Sequence, residues 1–281
     1  MNIEILSTTS RDPGLKITRI VAEKFISHNC RVFAPLVNSA VLPSGVFGES
    51  CPNTDLIVVL GGDGSIMRAA HRAGGQKCPI LGINLGHLGY LTEIDTNELD
   101  YIDCIFSNEY SVEKRTMLDV AHIRKNRKLG RTAVALNDAV LTHGKTARIL
   151  DIEVMCDGLS LGKYRSDGFI VATPTGSTAY SLSAGGPVLD PRLNGICLVP
   201  ICPHSLTARP LIVPDSSRLE LKYLGHGGMT CLTVDGEEIA EFEPGDSVTV
   251  NRSENTANFV RFDKKYKRNF YTTLKYKMSE I

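Results

Sequence analysis

Five short stretches of this chain hold residues that can do chemistry. The first, Gly61-Gly62-Asp63-Gly64-Ser65, directly follows the apolar run Leu56–Leu60. Glycines there let the turn take unusual backbone angles and let a ligand come close, and successive N–H groups can cradle phosphate oxygens. A carboxylate inside such a cradle repels an anion unless it has another task, such as taking a proton from an attacking hydroxyl or holding Mg²⁺. The same residues also suit a plain tight turn. The second stretch, Gly82 to Leu91, places three glycines and Asn84 after the next apolar run. In open α/β sheets that is where ligands bind. The third, Leu136-Asn137-Asp138, sets an amide beside a carboxylate, a pair suited to sugar hydroxyls and equally to capping a turn. The fourth is Tyr164-Arg165-Ser166-Asp167-Gly168, and the fifth is the hydroxyl-rich loop Thr173 to Tyr180. A loop of that composition can hold phosphate or a purine.

These residues need elements to position them. Ile3–Leu6, Arg31–Leu36, Leu56–Leu60 and Pro79–Asn84 read as short strands, the third buried on both faces as parallel sheets require. Asp12-Pro13 reads as an N-cap followed by proline at the first helical position, and Ile17, Ile20, Val21 and Phe25 form one apolar stripe behind it. A second helix is expected after Gly64, with Ile66, Met67, Ala69, Ala70 and Ala73 apolar and Gly74-Gly75 ending it. Its positive end would face the same phosphates. Strands alternating with helices imply βαβ crossovers and an open parallel sheet.

From about Leu118 the period changes to two. Ile149–Cys156, Leu219–Tyr223, Thr230–Val234 and Asp246–Val250 alternate, with Asp157-Gly158 as a turn, so this half is expected to be a twisted sheet pair or sandwich. The fold class is therefore an α/β N-terminal domain with an open parallel sheet plus an all-β C-terminal domain.

Composition bounds the function. The 281 residues include 31 basic and 31 acidic ones, so the formal charge is zero and no nucleic-acid or membrane partner is called for. Arg261–Lys277 is basic and interleaved with aromatics, which reads as a solvated basic face, with nucleic-acid contact the alternative. The opening MNIEILSTTSRD has neither a basic region nor a long apolar one, so the protein is not expected to be secreted or membrane-spanning. The eight cysteines form no CxxC pair, and several sit in apolar segments where reduced cysteine behaves as a small hydrophobe, as expected of a cytoplasmic protein.

Taken together, Gly61-Gly-Asp-Gly64, the Gly82–Leu91 segment, Asn137-Asp138, Asp167-Gly168, Thr173–Ser183 and Pro203–Pro210 resemble the NAD kinase family of bacterial type, in the family's order, across roughly 55–242. Gly-Gly-Asp-Gly alone also occurs in lipid kinases and phosphofructokinases. The resemblance implies transfer of the terminal phosphoryl group of ATP to the 2′-hydroxyl of the adenosine ribose of NAD, giving NADP, with Mg²⁺ as the divalent metal. A lipid kinase of the same superfamily and a non-catalytic NAD-binding sensor are the alternatives. It also implies that residues 1–117 form the nucleotide-binding domain, with a tail at about 258–281 returning to it, and that 118–257 form a β-rich NAD-binding domain.

By resemblance Asp63 is the general base, and Gly61, Gly62 and Gly64 lie near the donor phosphates. Asn137 and Asp138 hold the nicotinamide-side ribose, and Asp167 the nicotinamide end. Thr178, Ala179, Tyr180 and Ser183 line the adenosine, with Ser181 and Leu182 in the same segment. Gly64, Arg68, Arg148, Arg165 and Glu237 complete the dinucleotide set. Family members often carry Glu where this chain has Asp138, a shorter reach. Glu237 sits in an Asp-Gly-Glu turn that suits a simple hairpin. A homotetramer is implied, with a homodimer as the alternative.

Overall fold

The computed structural model describes residues 1–35, 41–51, 53–73, 78–144, 148–226, 229–262 and 269–279. In chain order the elements begin with β1 (Asn2–Ser7), α1 (Lys16–Ser27), β2 (Arg31–Phe33), β3 (Val46–Phe47), β4 (Leu56–Gly61), α2 (Asp63–Ala73), β5 (Pro79–Asn84), β6 (Ile94–Asp95) and α3 (Asp103–Phe106). A run of strands follows: β7 (Ser111–Arg124), β8 (Arg127–Ala135), β9 (Asp138–His143), β10 (Leu150–Cys156), β11 (Leu159–Ser166) and β12 (Gly168–Ala172). After the short α4 (Tyr180–Ser183) come β13 (Gly195–Ile201), β14 (Leu211–Pro214), β15 (Leu219–Gly225), β16 (Thr230–Val234), β17 (Glu237–Phe242), β18 (Ser247–Arg261) and α5 (Phe270–Ser279). These group into two compact units, Met1–Lys114 with Ala257–Ile281, and Arg115–Thr256.

The first unit is α/β. Its parallel strands run in the order β5-β4-β1-β2-β3, and Asn258 and Phe259 of β18 pair with β5 on the far side. All of β4 is buried, as its unbroken apolar run requires. The chain steps from β1 outward to β2 and β3, then returns to place β4 and β5 on the other side. That reversal makes the carboxyl ends of β1 and β4 a topological switch point.

One expectation is corrected in α1. Ile20 is 47% exposed, and Thr18 takes the buried position beside Val21, Ala22 and Phe25. A threonine can lie there because its hydroxyl donates to Asp12 Oδ2 at 2.6 Å. Asp12 caps from further back than the sequence pattern places it: a 3₁₀ turn, Pro13–Leu15, intervenes, and the carboxylate accepts the N–H groups of Ile17 and Thr18 at 3.0 and 2.9 Å. Leu36, Gly74 and Gly75 lie outside the described residues.

The second unit is antiparallel β. Six strands in the order β14-β13-β12-β9-β16-β17 form one sheet, and β11-β10-β15-β18 with the β7–β8 hairpin form the other. Their inward side chains, among them Leu118, Leu141, Val154, Phe169, Leu221, Leu232 and Val250, make a single core. The sandwich expected from the alternating pattern is present. Asp157 and Gly158 turn β10 into β11 with φ of 51° and 83°, the left-handed pair that a two-residue hairpin needs. Among the described residues no helix is long and apolar enough to cross a membrane.

Candidate active site

In the first unit the site grows from the carboxyl ends of β1 and β4. The Thr8 and Ser65 hydroxyls, one after each strand, lie 2.8 Å apart. Helix α2 starts on Asp63, so this carboxylate stands in its first turn. It does not cap its own helix. Instead Oδ2 accepts the Tyr90 N–H at 2.9 Å and Oδ1 the Leu91 N–H at 3.0 Å.

This explains the second glycine segment, whose members do different jobs. A Cβ on Gly89 would overlap the Asp63 carboxylate, so only glycine lets the backbone bring its two following N–H groups to bear. Gly82 is buried against Ile66 of α2. Asn84 is a staple rather than an open ligand group: its amide donates to Gly86 O at 2.8 Å and to Asp95 Oδ1 at 2.9 Å, and accepts from Gly86 N at 3.1 Å. Tyr90 packs its ring on Phe270, and Lys277 lies 5.2 Å from the ring centre. Two residues of the basic, aromatic tail therefore serve the loop that holds Asp63.

Arg68 is exposed and donates to Ser65 Oγ at 3.2 Å. A second cation went unnoticed in the sequence. Arg11 Nη1 lies 3.1 Å from where a Cβ on Gly62 would stand and 3.5 Å from that of Gly86. No motif marks Arg11; its signal is a lone basic residue just past the first strand.

In the second unit Asp138 opens β9, Ala172 closes β12 and Val234 closes β16, and these three strands are neighbours in register. Asn137-Asp138, the Thr173 loop and the Asp235-Gly236 turn are thereby brought together at one end of the sheet. A Cβ on Gly176 would overlap the Asn137 carbonyl, so the loop backbone rests directly on that residue. Asp138 is 5% exposed, and burial first, then the Asp235 charge, push its carboxyl up to about 7.

Along the loop, Thr173, Thr175 and Ser177 turn inward and bond to backbone or buried side chains. Thr178 and Ala179 are half-buried, while Tyr180, Leu182 and Ser183 face outward. Ser181 is buried against Cys197 and belongs to the core. Asp167 and Arg165 stand at the opposite end of β12 from this group, a strand of five residues or about 15 Å away. Arg165 is exposed and 4.0 Å from Asp151. Arg148 is exposed on a loop, and Glu237 is exposed at the start of β17.

Asp235 was not singled out in the sequence. Its signal was present as the Asp-Gly of a hairpin, with φ of 49° and 84° here.

Residues 47–106 match the family described as ATP-NAD kinase N-terminal domain, and residues 136–262 the ATP-NAD kinase C-terminal domain. Over 274 residues the chain is 41% identical to an NAD kinase of Carboxydothermus hydrogenoformans, covering 94% of this chain and 96% of that one. It is 38% identical over 284 residues to an NAD kinase of Methanothermobacter thermautotrophicus, covering 100% and 97%. Among solved structures, yeast NADH kinase complexed with NADH superposes with a TM-score of 0.86 at 28% identity, covering 99% of this chain and 87% of that one. An NAD kinase from Archaeoglobus fulgidus in complex with ATP gives 0.77 at 26%, covering 98% and 99%.

Proposed function

Because the chain belongs to the NAD kinase family of ATP-dependent phosphotransferases, we propose that Asp63 is the base that takes the 2′-hydroxyl proton of the adenosine ribose of NAD. The ribose oxygen then forms its bond to the γ-phosphorus of ATP as the bond to the β–γ bridging oxygen breaks, and ADP leaves. The carrying observation is the Asp63 carboxylate fixed by the Tyr90 and Leu91 N–H groups beside Gly62 and Gly64. Two N–H bonds occupy only half of a carboxylate's acceptor capacity, so room remains for the hydroxyl. The orientation is set before substrate arrives, which is what phosphoryl transfer asks of a protein.

Arg11 and Arg68, on either side of the Gly62–Gly64 turn, are assigned to the donor phosphates and the dinucleotide respectively. Mg²⁺ comes in with ATP as part of the substrate. Among the described residues no group of three or more His, Cys, Asp or Glu forms a metal cage, and Mg²⁺ commonly binds through phosphates and water with one or two carboxylates.

In the second unit Asn137 and Asp138 hold the nicotinamide-side ribose, and Thr178, Ala179, Tyr180 and Ser183 the adenosine. Arg165 and Asp167, at the far end of β12, are assigned to a site completed by a neighbouring copy in a homotetramer. Exposed Leu159, Leu206 and Ile212, at 73%, 92% and 53%, supply apolar surface for that association.

Asp63→Asn tests the central role. The amide is nearly isosteric, so the variant should bind NAD normally and lose about 100- to 10,000-fold in kcat. Turnover at the wild-type rate overturns the assignment.

A further inference from the structure

We propose that Asp235 is a positioning residue for the dinucleotide, holding Asn137 and Asp138 in place through their main chain; the inference rests on the ribose-binding role assigned to that pair. The Asp235 carboxylate accepts three consecutive N–H groups: Leu136 at 2.7 Å on Oδ2, and Asn137 and Asp138 at 2.7 and 3.0 Å on Oδ1. Its own N–H donates to the Asp138 carbonyl at 3.0 Å. From the other side Thr173 Oγ1 donates to the Leu136 carbonyl at 2.6 Å, and Thr173 N–H to the Asn137 carbonyl at 2.8 Å. Every main-chain donor and acceptor of Leu136–Asp138 is thereby engaged by two residues, Asp235 and Thr173.

That accounting has a consequence for the side chains. Two residues between β8 and β9 and the first residue of β9 would ordinarily flex about their backbone dihedrals, and their side chains would swing with them. Here the peptide groups are fixed, so the Asn137 amide and the Asp138 carboxyl are presented in one orientation. Asp235 can do this because it stands in a tight hairpin, Val234 pairing with Glu237 across it. The hairpin itself does not need a carboxylate, since Asn-Gly serves the same turn as well as Asp-Gly. Asn at this position would keep the turn but lose one of the two acceptor oxygens, turning an NH₂ toward N–H donors. The choice of aspartate is therefore tied to Leu136–Asp138 and not to the hairpin.

The experiment compares full-length wild type, Asp235→Asn, Asn137→Ala and the double variant, measuring kcat, KM for NAD, KM for ATP and the melting temperature. In Asp235→Asn, KM for NAD should rise about 10- to 100-fold, the scale of hydrogen bonds to a charged group, while KM for ATP and kcat stay within a few-fold. The double variant should fall well short of the product of the two single effects, because Asp235 acts in part through Asn137 and in part through Asp138. A second readout is the pH at which NAD binding changes. Asp235 is the carboxylate facing the buried Asp138, so neutralising it should move that midpoint to lower pH while the melting temperature holds, whereas loosening that hydrates Asp138 would lower both.

If Asp235→Asn melts too low to assay, Thr173→Val, which removes the Oγ1 donor to the Leu136 carbonyl together with the acceptor of the Gly176 N–H, should raise KM for NAD without touching KM for ATP. Unchanged KM for NAD in both variants, or equal rises for NAD and ATP, overturns the positioning role. If Asn137→Ala itself leaves KM for NAD unchanged, the ribose assignment fails instead, and the two failures are told apart.

Discussion

Gly89 should be as intolerant of change as the carboxylate it touches. In Gly89→Ala the new methyl displaces the Asp63 side chain, which is flexible, so the melting temperature should hold while kcat falls about 100-fold. Steady-state kinetics beside a thermal melt decide it; normal turnover would mean that the carboxylate's orientation is unimportant. Arg11→Ala should raise KM for ATP and leave KM for NAD alone, and the reverse pattern would remove it from the donor site. Asp138 adds a pH prediction. Its folded carboxyl sits near 7 against an ordinary 3.8, through burial and then Asp235, so the folded state holds that proton more tightly than the unfolded chain. The favourable contribution is complete below the unfolded value and is lost as pH rises through about 7. Asp138→Asn, which does not titrate, should therefore gain in melting temperature relative to wild type between pH 5 and 8. A flat difference across that range would mean the carboxyl is not shifted. Gly62-Asp63-Gly64 and Gly89 stood out because glycines gathered near a carboxylate mark a close approach, but Asp235 acts on main-chain groups, and a partner that recognises only N–H leaves no mark on the residues it holds.

At the scale of elements, α1 depends on one carboxylate. Asp12→Ala would leave the partly buried Ile17 N–H and the buried Thr18 N–H without their acceptor and cost the Thr18 hydroxyl one of its two partners, destabilising the fold by about 1–3 kcal/mol in urea titration. A change inside experimental error would show that water replaces it. The same helix marks where pattern reading fails. An apolar stripe selects Ile20 over Thr18, because nothing local shows that the threonine has an aspartate and the Ser7 hydroxyl waiting for it. Strands β4 and β5 were legible for the opposite reason: a continuous apolar run has one way to be buried on both faces. Alternation likewise announced β10, β15 and β16, while their order in the sheets, set by contacts distant in sequence, could not be read.

For the whole molecule, light scattering on active enzyme should give a tetramer, and Leu206→Glu combined with Ile212→Glu should lower the mass. A monomeric mass for active wild type refutes the assembly. Mixing Arg165→Ala with Asp63→Asn subunits should restore activity if sites are shared, and its absence removes only the cross-subunit role of Arg165. One further consequence lies in the chain path. The first unit is assembled from two stretches, Met1–Lys114 and Ala257–Ile281, with all of the second unit between them. On a ribosome adding about 5–20 residues per second, the second unit can close as soon as it emerges, whereas the first waits roughly 7 to 30 s longer for Asn258 and Phe259 to cover the edge of β5. For that interval the nascent chain displays an open parallel edge and lacks Val260 and Phe262 in its core. Premature termination near residue 256 should thus yield a product bound by chaperones or lost to aggregation, even though every residue proposed for catalysis has already been made.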